Sequence, residues 1–198
     1  RRKFCVCHKK SKKLRRTSKK CNTKKCIFRK RKSHNRNKIN KRNRLSGGNI
    51  TNHKQLIQYF VDKDEIVKNS RLYEALMKVD RGNYCDDDNC YFDSPVRIDE
   101  GQTISAPHMH IKALKYLEDK LYPGAKVLDI GSGSGYLTAV FGYLVETNKT
   151  NNDSKVIGID IYPKLVDKSI HNINKMNSDL LKNDKLDIIV GDGWEGYP

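Results

Sequence analysis

VLDIGSGSGYLTA, residues 127–139, is a short apolar strand that runs through alternating glycines into a helix. Two interpretations compete for such a stretch: a site for a nucleotide-type cofactor, or only a tight turn in an α/β core. The stretch alone fits both interpretations. The segments on either side of it therefore have to decide between them.

The sequence around the glycines alternates between strand and helix patterns. Strands are predicted over 125–130, 155–160 and 186–192, and helices over 135–146 and 163–176. Near-continuous apolar strands separated by helices are typical of a parallel sheet with helices on both faces. The predicted fold class is therefore α/β, with three parallel strands that make up half of a doubly wound sheet.

Each of these strands ends near an aspartate, and parallel strands bring their carboxyl ends to one edge of a sheet. Asp129 places a carboxylate beside the glycine loop, which would repel a phosphate but suit an ammonium or sulfonium group. Asp160 is positioned to accept hydrogen bonds from ribose hydroxyls. Asp192 can meet the exocyclic amine of an adenine, and Gly193 lets the ring lie near the backbone.

The loop has the pattern DxGxGxG, in which Tyr136 stands where the third glycine of a dinucleotide-binding GxGxxG would be. Gly131, Gly133 and Gly135 allow the backbone to approach a ligand closely. Together with the three acids, the glycines favour S-adenosylmethionine over a dinucleotide and over no ligand.

Three helices are predicted before the sheet, over 53–66, 71–79 and about 106–122. Thr51 or Asn52 caps the first helix, and Ser70 starts the second. The expected apolar row of the third helix consists of Met109, Ala113, Leu117 and Leu121. Residues 81–105 are predicted to form a loop, because glycine, proline and aspartate interrupt both periodicities.

The charge of the chain is concentrated at its beginning. The formal net charge is +17, and 22 of the 40 Lys and Arg residues lie between Arg1 and Arg44, whereas the first acidic residue is Asp62. A segment with few apolar side chains and strong self-repulsion is expected to be disordered. Residues 1–48 are therefore predicted to be a disordered basic extension, either without a partner or in contact with a polyanion.

The cysteines give a weaker pattern. Free thiols are the default. A zinc site is the alternative for the first group, and it is less favoured because the spacing lacks paired CxxC motifs. That group consists of Cys5, Cys7, Cys21 and Cys26, with His8 and His34 nearby. Cys85 and Cys90 could close a small loop only in an oxidising setting.

The motifs DRGNY, YFDSPVRI, TISAPHMH, VLDIGSGSGYLTA, VIGID and GDGWEGY occur in an order and spacing that closely resembles the protein-L-isoaspartate (D-aspartate) O-methyltransferase family. The similarity covers residues 52–198. It implies a Rossmann-like class I S-adenosylmethionine-dependent methyltransferase fold with an incomplete parallel sheet. It also implies methyl transfer from S-adenosylmethionine to the carboxylate of L-isoaspartyl residues in damaged proteins, which is a protein-repair reaction.

The resemblance assigns roles to particular residues. Ser105 matches the active-site serine, although it could also cap a helix beginning near Ala106. Trp194 could wall the adenine or simply pack in the core. No metal is implied. The residues assigned to the cofactor are Thr103, Ile104, His110, Asp129, Gly131, Ser132, Gly133, Asp160, Ile161, Asp192 and Gly193.

The organisation predicted from these patterns has three parts. Residues 1–48 form the basic extension, 49–122 the helical and loop region of the catalytic domain, and 123–198 the first half of the cofactor-binding domain. Both ends of the chain look cut, and the family's C-terminal segment, which helps to build the substrate groove, is absent. Residues 1–198 alone are therefore expected to be inactive and prone to aggregate.

A rival hypothesis makes the chain a nucleic-acid-associated methyltransferase or binding protein that uses its basic arm. The folded part lacks the NPPY-type or DPPY-type tetrapeptide of amino-directed nucleic-acid methyltransferases. No run of about 18 apolar residues exists, so membrane insertion is not expected. The protein is expected to be a cytoplasmic monomer, with nuclear or organellar targeting by the basic segment left open.

Overall fold

The computed structural model describes residues 50–146, 154–182 and 184–197. The predictions for residues 1–48, which concern disorder, zinc and polyanion contact, lie outside the described residues. Within the described ranges, no helix combines the length and the apolar character that a membrane crossing requires.

Two short helices open the described part, α1 (His53–Asp62) and α2 (Arg71–Lys78). The predicted caps are present: the Asn52 side chain accepts from the Gln55 amide at 3.0 Å, and Ser70 Oγ accepts from the Tyr73 amide at 3.1 Å. Helix α1 stops four residues before the predicted end at 66. Each helix buries one apolar face, as its periodicity predicts.

The predicted loop over 81–105 contains regular structure. A 3₁₀ turn (Arg81–Tyr84) is followed by strands β1 (Val96–Arg97) and β2 (Thr103–Ile104), which pair antiparallel. Two-residue strands have too few side chains to show an alternating pattern, so they could not be predicted.

Helix α3 (Pro107–Leu117) is shorter than predicted and buries a different face. Its buried residues include His110, Ile111 and Leu114, whereas Met109 and Leu117 of the predicted row are 43% and 40% exposed. The predicted row was wrong at Met109 and Leu117, whereas Leu121 is buried but lies beyond the end of the helix. The His110 ring is buried beside the Arg81 side chain.

The predicted cap of this helix by Ser105 was also wrong. The N-cap position is Ala106, and no side chain caps the helix. Pro107 at the first helical position lacks an amide hydrogen, so one of the donors that a cap would satisfy does not exist.

The second half of the described chain is a three-stranded parallel sheet with the order β3 (Lys126–Ile130), β4 (Lys155–Asp160), β5 (Leu186–Val190). The connections contain helices α4 (Tyr136–Val145), α5 (Pro163–Met176) and the short α6 (Ser178–Lys182). Of these three helices, only α6 was not predicted.

These three helices pack on one face of the sheet, where the sequence predicted helices on both faces. Gly158 in the middle strand faces α4, and a Cβ atom there would lie 3.1 Å from the Thr138 side chain. Leu128 and Ile130 of β3 point to the opposite face and are 40% and 60% exposed.

Long-range contacts join the first helices to the sheet half. The Tyr84 hydroxyl donates to the Asn177 side chain at 2.7 Å, and both residues are buried. Lys168 of α5 pairs with Asp86 at 2.6 Å and with Asp99 at 2.7 Å. Side chains from both halves share one hydrophobic core, so the two halves fold against each other.

Candidate functional site

The glycine loop after β3 is held in a left-handed conformation. Gly131, Gly133 and Gly135 have φ angles of +78°, +59° and +85°, which L side chains adopt only with strain. The amides of Gly131 and Ser132 donate to the Ile159 carbonyl at 2.8 and 3.0 Å, which fastens the loop to β4. The loop therefore requires glycine for its backbone geometry as well as for ligand approach.

Asp160 ends β4 and is almost fully buried, with 6% of its surface exposed. Its Oδ2 accepts from the Gly133 amide at 3.0 Å, and its Oδ1 accepts from the Tyr162 amide at 3.2 Å. The carboxylate thus holds the glycine loop against the end of β4.

The other two aspartates lie at different heights on the sheet. Asp129 is in register with Gly158, which is two residues before Asp160 on β4. Asp160 is in register with Val190, which is two residues before Asp192. Along the strand direction Asp160 therefore lies about 7 Å beyond Asp129, and Asp192 follows the end of β5, so the three acids are staggered.

Asp129 and Asp192 also differ in their partners. Thr138 Oγ1 donates to Asp129 Oδ2 at 2.6 Å, whereas Asp192 is exposed and its Oδ1 accepts from the Trp194 amide at 2.9 Å. Trp194 is 95% exposed, so the interpretation as a core residue was wrong. Gly193 lies against Ile130, where a Cβ atom would collide with its side chain.

The segment with the predicted active-site serine lies between β2 and α3. Thr103 is exposed and Ile104 is buried. The Ser105 carbonyl accepts from Arg81 Nη2 at 2.8 Å. His110, with 9% of its surface exposed, has its Nδ1 atom 3.4 Å from Arg81 Nη1 and its ring centroid 5.1 Å from that of Tyr136.

Arg81 is the residue that sequence reasoning missed. It has no exposed surface, and its Nε donates to the Cys90 carbonyl at 2.7 Å. Cys90 is joined to Cys85 by a disulfide, where free thiols had been the default. The motif DRGNY contained the only indication, because an arginine beside aspartate and glycine otherwise resembles a surface turn.

The structure brings part of the predicted set together directly. Gly133 and Asp160 are in contact. Ser105 and His110 reach the same loop through Arg81 and through Tyr136, the first residue of α4. Gly193 lies near the loop only through Ile130, and Ile161 is 57% exposed beyond Asp160.

Comparison with known proteins identifies the family. The family model for protein-L-isoaspartate(D-aspartate) O-methyltransferase matches residues 51–198. The chain belongs to this family. The protein-L-isoaspartate O-methyltransferase of Caenorhabditis elegans is 43% identical over 134 residues, which are 68% of this chain and 57% of that protein. Protein-L-isoaspartate O-methyltransferase 2 of Arabidopsis thaliana is 42% identical over 134 residues, 67% of this chain and 42% of that protein.

Solved structures of isoaspartate methyltransferases agree with this assignment. A Plasmodium falciparum structure named as a protein-L-isoaspartate O-methyltransferase, in complex with S-adenosyl-L-homocysteine, is 41% identical with a TM-score of 0.63 and covers 70% of this chain and 62% of that one. The predicted Rossmann-like methyltransferase fold is therefore confirmed. The chain spans about half the length of the curated relatives that it matches.

Proposed function

We propose that the complete protein is a protein-L-isoaspartate O-methyltransferase that uses S-adenosylmethionine to methylate the carboxylate of L-isoaspartyl residues in damaged proteins. The match of residues 51–198 to the isoaspartate methyltransferase family model carries this proposal. The contact between Asp160 and the glycine loop supports it, because it sets a buried carboxylate beside the backbone that a cofactor would approach.

The residues at the loop suit S-adenosylmethionine. A Cβ atom on Gly131 would meet nothing within 4 Å, so there is space next to the loop backbone. Ser132 Oγ is buried and has no hydrogen-bond partner among the described residues. We propose that the cofactor is held by Thr103, Ile104, His110, Asp129, Gly131, Ser132, Gly133, Asp160, Ile161, Asp192 and Gly193.

The bound cofactor would supply an electrophilic methyl group on a sulfonium. The reference pKa of an aspartyl carboxyl is about 3.9, so the substrate carboxylate is ionised at neutral pH and the protein needs no strong general base. Its task is to exclude water and to orient the carboxylate in line with the methyl group. Ser105 would donate the orienting hydrogen bond to the substrate carboxylate.

Methyl transfer to a synthetic peptide tests the proposal. The full-length protein should label a peptide that contains one L-isoaspartyl residue, and should leave the same peptide with normal aspartate unlabelled. The label should be lost in mild base, because it is a methyl ester. Base-stable label on RNA with none on the isoaspartyl peptide would overturn the proposal in favour of a nucleic-acid methyltransferase.

The setting of the protein is a further part of the proposal. We infer a cytoplasmic monomer, as the sequence predicts; in that reducing setting Cys85 and Cys90 would be thiols and not the disulfide described above. The 22 basic residues of the first 44 would add contact with polyanions. Light scattering of the full-length protein and imaging with and without residues 1–48 test these points.

A further inference from the structure

Arg81 is a charged side chain in the interior whose partners are all neutral. Its guanidinium donates to the carbonyl oxygens of Cys90 and Ser105, and it lies 3.4 Å from His110 Nδ1. No carboxylate of the described residues lies within 4.0 Å of it. The face of the Tyr136 ring, 5.6 Å away, completes its surroundings.

Arg81 has no ion-pair partner within 4.0 Å among the described residues, and Asp93 acts on it only from further away, so the cost of burying the charge is only partly offset. Burial lowers the pKa of Arg81 to about 10, so the side chain is still charged at neutral pH. Core packing alone would be served better by an apolar residue. The hydrogen bonds that the Arg81 guanidinium donates are therefore the feature that distinguishes it from an apolar core residue.

The three donor nitrogens of the planar Arg81 guanidinium reach three separate segments of the chain. Nε reaches the loop after the 3₁₀ turn, Nη2 reaches the main chain at Ser105, and Nη1 reaches the ring of His110 on α3. A lysine has one donor atom on a flexible stem and cannot span these three positions at once. Arginine can only donate, so Nδ1 of His110 must accept. This contact fixes the ring as the Nε2–H tautomer.

We propose that Arg81 is a positioning residue for methyl transfer, which sets the main chain at Ser105 and the tautomer and orientation of the His110 ring. The inference rests on the proposed function, since it assigns Arg81 a part in that reaction. Because Arg81 has no exposed surface, it would act on the reaction through these neighbours and not by direct contact. The positions that Arg81 sets affect the rate, because a displacement of about 1 Å in a reacting group can reduce the rate about 100-fold.

The decisive variant is Arg81→Lys in the full-length protein, which keeps the charge and removes the fork. The kcat for an isoaspartyl peptide should fall about 10- to 100-fold. Affinity for S-adenosylhomocysteine, measured by calorimetry, should fall less than kcat, because His110 is only one of the residues that we propose to hold the cofactor and the loop fastened by Asp160 is untouched. Arg71→Lys is the matched control: the Arg71 guanidinium also donates to two main-chain carbonyls, those of Leu144 and Glu118, but away from the site. Its kcat should stay within about twofold of the unmodified protein.

Two measurements separate a positioning role from a structural one. A thermal unfolding midpoint for each variant shows whether loss of kcat accompanies loss of fold. If Arg81→Lys lowers the midpoint but keeps kcat within twofold at a temperature where it is folded, Arg81 is structural only and the proposal is wrong.

The tautomer of His110 tests the arrangement in the unmodified protein, even if the variant does not fold. Nitrogen-15 NMR near neutral pH should show Nε2 protonated and Nδ1 unprotonated. A protonated Nδ1 would overturn the proposal. This measurement is independent of the substrate, so an unmodified protein that is inactive on isoaspartyl peptides but shows the expected tautomer would refute the proposed function and not the Arg81 contact.

Discussion

Replacing Gly135 with alanine should destabilise the protein more than the same change at Gly131, although both glycines have positive φ. Each substitution places an L side chain in the left-handed region, which costs about 1–2 kcal/mol. At Gly131 a Cβ atom meets nothing within 4 Å, so no further loss is expected. At Gly135 the new atom would collide with Ser169 Oγ and lie 3.3 Å from Ile173 Cδ1. Overpacking of this kind adds about 1–3 kcal/mol.

The expected losses in the free energy of unfolding are therefore about 2–5 kcal/mol for Gly135→Ala and about 1–2 kcal/mol for Gly131→Ala. Urea unfolding of the ligand-free full-length protein, followed by circular dichroism, gives both values. Ser169 offers a second test, because its Oγ is buried without a hydrogen-bond partner among the described residues. Ser169→Ala should be nearly neutral alone and should recover part of the Gly135→Ala loss. Equal losses at the two glycines, or strict additivity with Ser169→Ala, would refute the steric reasoning.

Asp160→Ala should weaken binding of S-adenosylmethionine by about 1–3 kcal/mol, because it removes the acceptor that we propose for the ribose and the carboxylate that holds the Gly133 amide; unchanged affinity by calorimetry would place the ribose elsewhere. Tyr84→Phe should lower the free energy of unfolding by about 1–3 kcal/mol, because it leaves a buried amide oxygen of Asn177 without its 2.7 Å donor; a change below 0.5 kcal/mol in urea would contradict this. Deleting residues 1–48 should abolish salt-sensitive retention on a polyanion column and leave turnover of short peptides nearly unchanged; lost turnover in a stable variant would show that the segment reaches the site. Stability should decrease as the pH falls below about 6.5, because burial lowers the pKa of His53 in the folded state and the unfolded chain takes up the proton first. His53→Gln should flatten this dependence in unfolding curves measured between about pH 5 and 8.

All the strands and the two long helices of the sheet half could be predicted to within two residues, whereas the short α6 could not. The predicted strand over 155–160 and helix over 163–176 coincide with β4 and α5. Buried parallel strands are continuous apolar runs, and the helices between them have clear starts and stops, so local pattern and tertiary structure agree.

The prediction failed where tertiary contacts decide the structure. The buried face of α3 includes His110, whose burial depends on Arg81, a residue 29 positions earlier. The single layer of helices on the sheet likewise depends on contacts between distant segments. Residue type and spacing do not encode such contacts. The local hairpin of β1 and β2 was missed for another reason, since two-residue strands are too short to show a pattern.

The candidate site shows the same division. The glycine loop and Asp160 could be predicted to lie close together, because strand ends in a parallel sheet meet at one edge. Which atoms meet could not be predicted: the carboxylate binds a loop amide, and the three acids are staggered. Arg81 was missed because an arginine in a turn is usually exposed, and only its surroundings show that it is enclosed.

The bond between Tyr84 and Asn177 has a consequence for synthesis in the cell. The two residues are 93 positions apart, and a ribosome adds about 5–20 residues per second. Roughly 5–20 s therefore pass between the emergence of Tyr84 and that of its partner. During that interval α4 emerges and α2 can pack on it, but the sheet still lacks β5, so part of the apolar surface of α1, α2 and α3 is open to the solvent. The nascent chain presents a binding site for chaperones in this window, and codon choice over residues 85–177 sets how long the window lasts.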